Sequence, residues 1–160
     1  MNNKLTTYYL NLHPVFFILV NYLFLLLFVV FPFKLLDYIF HFNGKSNLVT
    51  ENMSEIMVFF SVVFFAPLLE TLIFQYFIIK TITYFKPNAK LIAIFISALL
   101  FGLSHYYSIY YTLFTFCMGL FFGFLYFSSL KKKLSPYWTI VSVHAIYNLM
   151  LFLGHYYSFF

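Results

Sequence analysis

Apolar stretches as long as a lipid bilayer is thick decide what this chain can fold into. Residues 14–33 and 109–130 contain no charged side chain. A helix needs ~20 apolar residues to cross a hydrocarbon layer of ~30 Å. Inside that layer an open strand edge has no water to bond, which leaves helices and closed barrels as the spanning structures. The chain as a whole is 64% hydrophobic and 8% charged, whereas a soluble domain carries roughly 25% charged residues. Five apolar segments follow, at 14–33, 55–85, 91–105, 109–130 and 136–154. The expected fold is all-α: a multi-pass transmembrane helical bundle of about five spans, with residues 1–160 as one transmembrane domain. The first segment is too long for the core of a signal peptide and no small-residue cleavage site follows it, so it reads as a retained span. Cys117 has no partner for an intrachain disulfide.

The connections carry the polar signals. The longest, Lys34 to Ser54, contains an Asn43-Gly44 turn. Leu35 to Phe40 suits a short interfacial helix, and Asn52 or Ser54 suits a cap for the second span. Lys86-Pro87-Asn88 and Leu134-Ser135-Pro136 make two tight turns. With five spans, Lys4, Lys80, Lys86, Lys90, Lys131, Lys132 and Lys133 fall on one side without an acid. Lys34 and Lys45 fall on the other, diluted by Asp37, Glu51 and Glu55. The positive-inside rule then places the N-terminus in the cytoplasm and the chain in a cell membrane. The net charge of +5 reports orientation, with membrane lipids as neighbours and no nucleic acid. Tyr8, Tyr9, Tyr84, Tyr137 and Trp138 form one aromatic belt, and Tyr106, Tyr107, Tyr156 and Tyr157 the other.

Ionisable groups at bilayer depth are costly and usually functional. Glu70, Gln75, His105, His144 and Asn148 survive that filter, and Glu70 is the only carboxylate inside a span. His144 and Asn148 are four residues apart on one helix face, as are Phe101 and His105. Pro67 lacks an N–H and opposes the carbonyl four residues back, which kinks the helix and frees Val63 O about one turn before Glu70. Gly119 and Gly123 form a GxxxG pair that admits a close neighbouring helix.

This set suits amide hydrolysis. A carboxylate can take a proton from water while a neighbouring His orients that water or passes its proton to the leaving amine. A second His and an Asn amide can donate to the oxyanion. The same groups could bind zinc through two imidazoles and one carboxylate, although no HExxH is present. Plainer roles stand beside these. A histidine in a span is often an interhelical hydrogen-bonder; His13, His41 and His155 read as interfacial, and Lys131-Lys132-Lys133 as a topology anchor.

Three segments together resemble a known family. Ala66-Pro67-Leu68-Leu69-Glu70-Thr71-Leu72-Ile73-Phe74-Gln75 resembles the first motif of the CAAX-protease and bacteriocin-processing intramembrane peptidases, usually Glu-Glu-x-x-x-Arg. Phe101 to His105 resembles its second, Phe-x-x-x-His, and His144 to Asn148 its third, His-x-x-x-Asn. The likeness covers about residues 61–152. It implies Glu70 and His105 as the water-activating pair, His144 and Asn148 as oxyanion donors, and no metal cofactor. It also implies a peptide or lipidated protein as substrate. Thr71 and Gln75 depart from the pattern where the second Glu and the Arg are expected, so Glu70 lacks a charge-assisted partner.

The expected function is therefore an intramembrane endopeptidase acting on membrane-associated proteins or peptides. The alternative is a non-catalytic member acting in bacteriocin self-immunity or partner binding. A third reading, a proton pathway through Glu70 and the histidines, has no internal repeat to support it. Substrate and oligomeric state are left open by the sequence.

Overall fold

In the computed structural model, residues 4–42 and 53–156 are described. The expected Asn43-Gly44 turn, the Asn52 cap, Lys45, Glu51 and Tyr157 lie outside them. The described residues form helices joined by short turns, with no strand among them. A short α1 (Lys4–Asn11) precedes α2 (Pro14–Phe40), α3 (Glu55–Phe85), α4 (Lys90–Leu103), α5 (Ile109–Lys131) and α6 (Pro136–Tyr156). Four of these, α2, α3, α5 and α6, are long and apolar enough to cross a bilayer. The fifth, α4, has 14 residues and reaches about 21 Å at 1.5 Å per residue. Exposed Leu27, Phe28, Ile56, Phe77, Leu91, Ile109 and Phe124 give the outer surface the character of a lipid-facing one.

Capping follows the sequence. Ser54 Oγ accepts from the Met57 N–H at 3.4 Å and Ser108 Oγ from the Tyr111 N–H at 3.1 Å, each satisfying an orphan donor of the first turn. Pro14 opens α2 at a position where its missing N–H costs nothing.

An expectation about α2 is corrected. Leu35 to Phe40 is not a separate helix: α2 runs without a break to Phe40 and ends where His41 turns left-handed (φ 50°). Pro32 does not stop it, because the helix widens over Leu26–Val30 before the proline. α3 treats Pro67 the same way, widening over Phe60–Phe65. In such a stretch each N–H bonds five residues back instead of four. A further widened stretch, Thr71–Phe77, follows Glu70. The midpoint of the 31-residue α3 is Glu70, set between two widened stretches.

The closest packing is between α4 and α5, and glycine makes it possible. A Cβ on Gly119 would stand 2.8 Å from Ala98 Cα, one on Gly123 2.7 Å from Ile94 Cγ2, and one on Gly102 2.9 Å from Phe116 Cβ. The GxxxG pair thus receives a helix of its own chain. Around this contact Phe17, Leu25, Ile79, Phe101, Phe122, Ile140 and Val143 form the buried core.

Two supposed interfacial groups turn inward. Tyr9 OH donates to Asn21 Oδ1 at 2.9 Å, and the buried Asn21 donates to Phe17 O at 2.7 Å. Lys132 Nζ donates to Leu10 O at 2.8 Å and also to Leu12 O, and lies over the Phe17 ring. It fixes α1 against the end of α5, so this lysine is a packing element as well as a charge. The N-terminal helix and the α5–α6 turn therefore share one end of the bundle.

Candidate active site

Glu70, His105 and His144 come together from three elements. Glu70 projects from the middle of α3, and its two carboxylate oxygens face different imidazoles. His105 Nε2 stands 3.7 Å from Oε1, and His144 Nε2 stands 3.7 Å from Oε2. The carboxylate is partly accessible, with 26% of its side-chain surface exposed, against 16% for His105 and 6% for His144.

Each imidazole is held differently. The sequence put His105 on the third helix with Phe101. The structure instead ends α4 at Leu103 and places His105 in the turn that follows. Its backbone N–H bonds Gly102 O at 3.0 Å, a three-residue turn. Its ring Nδ1 lies 2.8 Å from Phe101 O, which fits Nδ1–H as the donor to that carbonyl. That tautomer leaves the Nε2 lone pair toward Glu70. Thr112 Oγ1 adds a bond to His105 O at 3.1 Å, tying the turn to α5. His144 is fixed by aromatic packing, edge-on to Phe101 and tilted over Phe122, with ring centroids 6.1 and 5.2 Å away.

Asn148 lines the same cavity, but its amide has an engagement the sequence did not show. Nδ2 donates to Val62 O at 2.8 Å. A carbonyl that Pro67 leaves without a backbone donor is thus that of Val62. α3 is in the five-residue register there, and the Ala66 N–H already serves Ser61 O. The next position back from Pro67 is Val62.

The cavity has a volume of about 230 Å³ and runs from Glu70 toward the end of the bundle where α3 begins and α6 finishes. Val58, Val62, Ala66 and Glu70 line it from α3, in steps of four along one face. Tyr111, Thr115 and Met118 line it from α5, and Tyr147, Leu151 and His155 from α6. Sequence reasoning missed Tyr111 and Tyr147 and set His155 at the interface. The signal was their spacing: Tyr147 is three residues from His144, and His155 lies on the same stripe eleven residues on.

Thr71 and Gln75, the two departures from the expected pattern, do not line the cavity. Both are 1% exposed and pack between helices. Gln75 Oε1 accepts from Ser97 Oγ on α4 at 2.6 Å. Thr71 Oγ1 and Gln75 Nε2 have no hydrogen-bond partner. Among the described residues, no three His, Cys, Asp or Glu side chains are set as a metal-ligand group.

Helices long and apolar enough to cross a bilayer, with a carboxylate between two imidazoles at the inner end of a cavity, define the class: a multi-pass membrane helical bundle with a polar centre at mid-bundle. A family model described as Type II CAAX prenyl endopeptidase Rce1-like matches residues 52–150, more than half of the chain. The chain belongs to that family. No curated protein and no solved structure matches it.

Proposed function

We propose that the protein is an intramembrane endopeptidase that hydrolyses a peptide bond of a membrane-associated protein or peptide, with water activated by Glu70 and His105. The observation that carries this reading is the convergence of both imidazoles on one carboxylate at 3.7 Å each. A gap of 3.7 Å is too long for a direct hydrogen bond, but a water off the line between the atoms can reach both at about 2.8 Å.

In the proposed mechanism Glu70 accepts the proton of that water as the oxygen attacks the scissile carbonyl. The His105 Nε2 lone pair, pointed inward by the Nδ1–Phe101 bond, orients the water and then shuttles the proton to the leaving amine. His144, and the Asn148 N–H not committed to Val62, face the oxyanion side. The mechanism uses no metal. Family membership points to a CAAX-type peptide or prenylated protein as substrate. The two departures, Thr71 and Gln75, fall in helix packing outside the cavity, which favours a site whose reacting groups are intact.

The test is cleavage of a fluorogenic farnesylated CAAX peptide, and its unprenylated counterpart, by purified protein in detergent. Cleavage should fall by about 10²–10⁴-fold in Glu70→Gln and His105→Ala, and should survive EDTA. Wild-type cleavage unchanged in both variants ends the reading, and loss in EDTA assigns the chemistry to a metal. Host protection from a bacteriocin that persists in Glu70→Gln would favour the non-catalytic immunity role instead.

The lysine excess of the end shared by α1 and the α5–α6 turn supports a cytoplasmic N-terminus. In a Cys117→Ser background, Lys131→Cys should be shielded from an impermeant maleimide in intact cells and Tyr106→Cys labelled. The reverse pattern inverts the orientation.

A further inference from the structure

The path from Pro67 to Asn148 follows from backbone register. Between Phe60 and Phe65 the bonds of α3 run five residues back, and the last of them joins the Ala66 N–H to Ser61 O. The next in that register would join residue 67 to Val62 O, and proline has no N–H to give. Asn148 Nδ2 fills the place at 2.8 Å. A buried carbonyl without a donor is costly, so this bond answers a need that Pro67 creates.

The bond also sets helix against helix. Tyr137, His144 and Asn148 lie seven and then four residues apart along α6, on one stripe. Tyr137 OH donates to Leu68 O at 3.3 Å, His144 faces Glu70, and Asn148 holds Val62 O. The α6 stripe therefore grips α3 at two carbonyls, one on each side of Pro67, and brings His144 to the carboxylate.

We propose that Pro67 is a positioning residue of the site. By withholding its N–H it leaves Val62 O as the anchor that fixes the Asn148 amide, and with it the face of α6 that carries His144, against Glu70. One amide N–H is committed to the anchor, and this fixes the direction of the other. The kinetic part of this inference rests on the endopeptidase reading; the anchor itself does not.

α2 supplies an internal control. There the Phe31 N–H bonds Leu26 O and Pro32 follows, the same device, but the corresponding carbonyl belongs to the exposed Leu27, away from the cavity.

The experiment is a double-mutant cycle on the purified full-length protein, read by thermal unfolding and by peptide cleavage. In the Pro67 background, Asn148→Ala should lower the unfolding temperature by a few degrees. Asn148→Asp, of equal size but with no N–H to give, should do the same. With Pro67→Ala, Val62 O gains a backbone donor, residue 67 in the five-residue register or residue 66 in the four-residue one. The Asn148→Ala shift should then shrink by at least half. Pro32→Ala should leave it unchanged. Pro67→Ala alone should lower kcat about 10–100-fold with KM little altered, because the amide loses its anchor.

Equal Asn148→Ala shifts in the Pro67 and Pro67→Ala backgrounds overturn the anchor. An unchanged kcat in Pro67→Ala overturns the positioning role. If the wild type cleaves neither peptide, the endopeptidase reading fails while the thermal cycle still decides the anchor.

Discussion

His144 Nε2 stands 3.7 Å from Glu70 Oε2, while the remainder of its ring is enclosed by Phe101 and Phe122. The same side chain is thus a piece of apolar core and one wall of a polar site. The two roles separate by substitution.

His144→Phe keeps a flat ring between Phe101 and Phe122 and removes both nitrogens. The larger six-membered ring overpacks the site somewhat, so the unfolding temperature should fall by an amount corresponding to about 1–3 kcal/mol while the protein stays folded. Cleavage of the farnesylated CAAX peptide should fall by about 10²–10³-fold, the usual effect of removing an oxyanion donor. Full activity in a folded His144→Phe protein would reduce His144 to packing.

Thr71 and Ser97 should respond in opposite directions. Thr71 Oγ1 is buried without a partner, so Thr71→Val removes an unsatisfied group at constant shape and should be neutral or stabilising by up to about 1 kcal/mol. Ser97 Oγ donates to Gln75 Oε1 at 2.6 Å and lies 2.9 Å from Phe74 O. Ser97→Ala orphans a buried amide oxygen and should cost about 1–3 kcal/mol. Thermal unfolding of the two variants side by side checks the sign of each.

The α4–α5 contact depends on both of its α5 glycines. A Cβ on Gly119 meets the Ala98 backbone at 2.8 Å, which can move only if the helix moves. A Cβ on Gly123 meets Ile94 at Cγ2 (2.7 Å), Cγ1 (3.0 Å) and Cβ (3.1 Å), the branched root of a side chain that is stiff in a helix. Gly119→Ala and Gly123→Ala should therefore each destabilise by about 1–3 kcal/mol. Unfolding temperatures equal to that of the wild type would mean that α4 is free to shift.

Lys132 differs from its two lysine neighbours through its bonds to Leu10 O and Leu12 O. Lys132→Met keeps the stem over Phe17 but leaves those carbonyls without the ammonium, and should release α1. Limited proteolysis should then cut near residue 12 much faster than in wild type. The exposed Lys131→Met should leave the cut rate unaltered, and equal rates in both variants would show that α1 is held by its apolar contacts alone.

Much of this was readable before the structure. Apolar runs of bilayer length fixed the solvent, and with it an all-helical fold, because a backbone in hydrocarbon must satisfy its own hydrogen bonds. Glu70 and His144 were legible as rare polar groups at the depth where such groups are costly, and His105 by its spacing from Phe101. The glycine pair gave away a close helix contact, although not that Ala98 and Ile94 would fill it.

What stayed hidden depended on choices made between neighbouring helices. A proline announces that a carbonyl is left over, but the identity of that carbonyl changes with the register of the preceding turn. The register here is the one in which Asn148, 86 residues along the chain, supplies the missing donor. His105 left the helix and turned inward where Phe101 O and Thr112 offered it bonds. Tyr111, Tyr147 and His155 became cavity wall only once α5 and α6 stood opposite α3. Sequence alone determined the bilayer, the helices and the rare polar side chains, because those rest on the energy of each group in its solvent. Only the tertiary structure decided which donors met which acceptors, because a hydrogen bond depends on distance and direction between parts of the chain far apart in order.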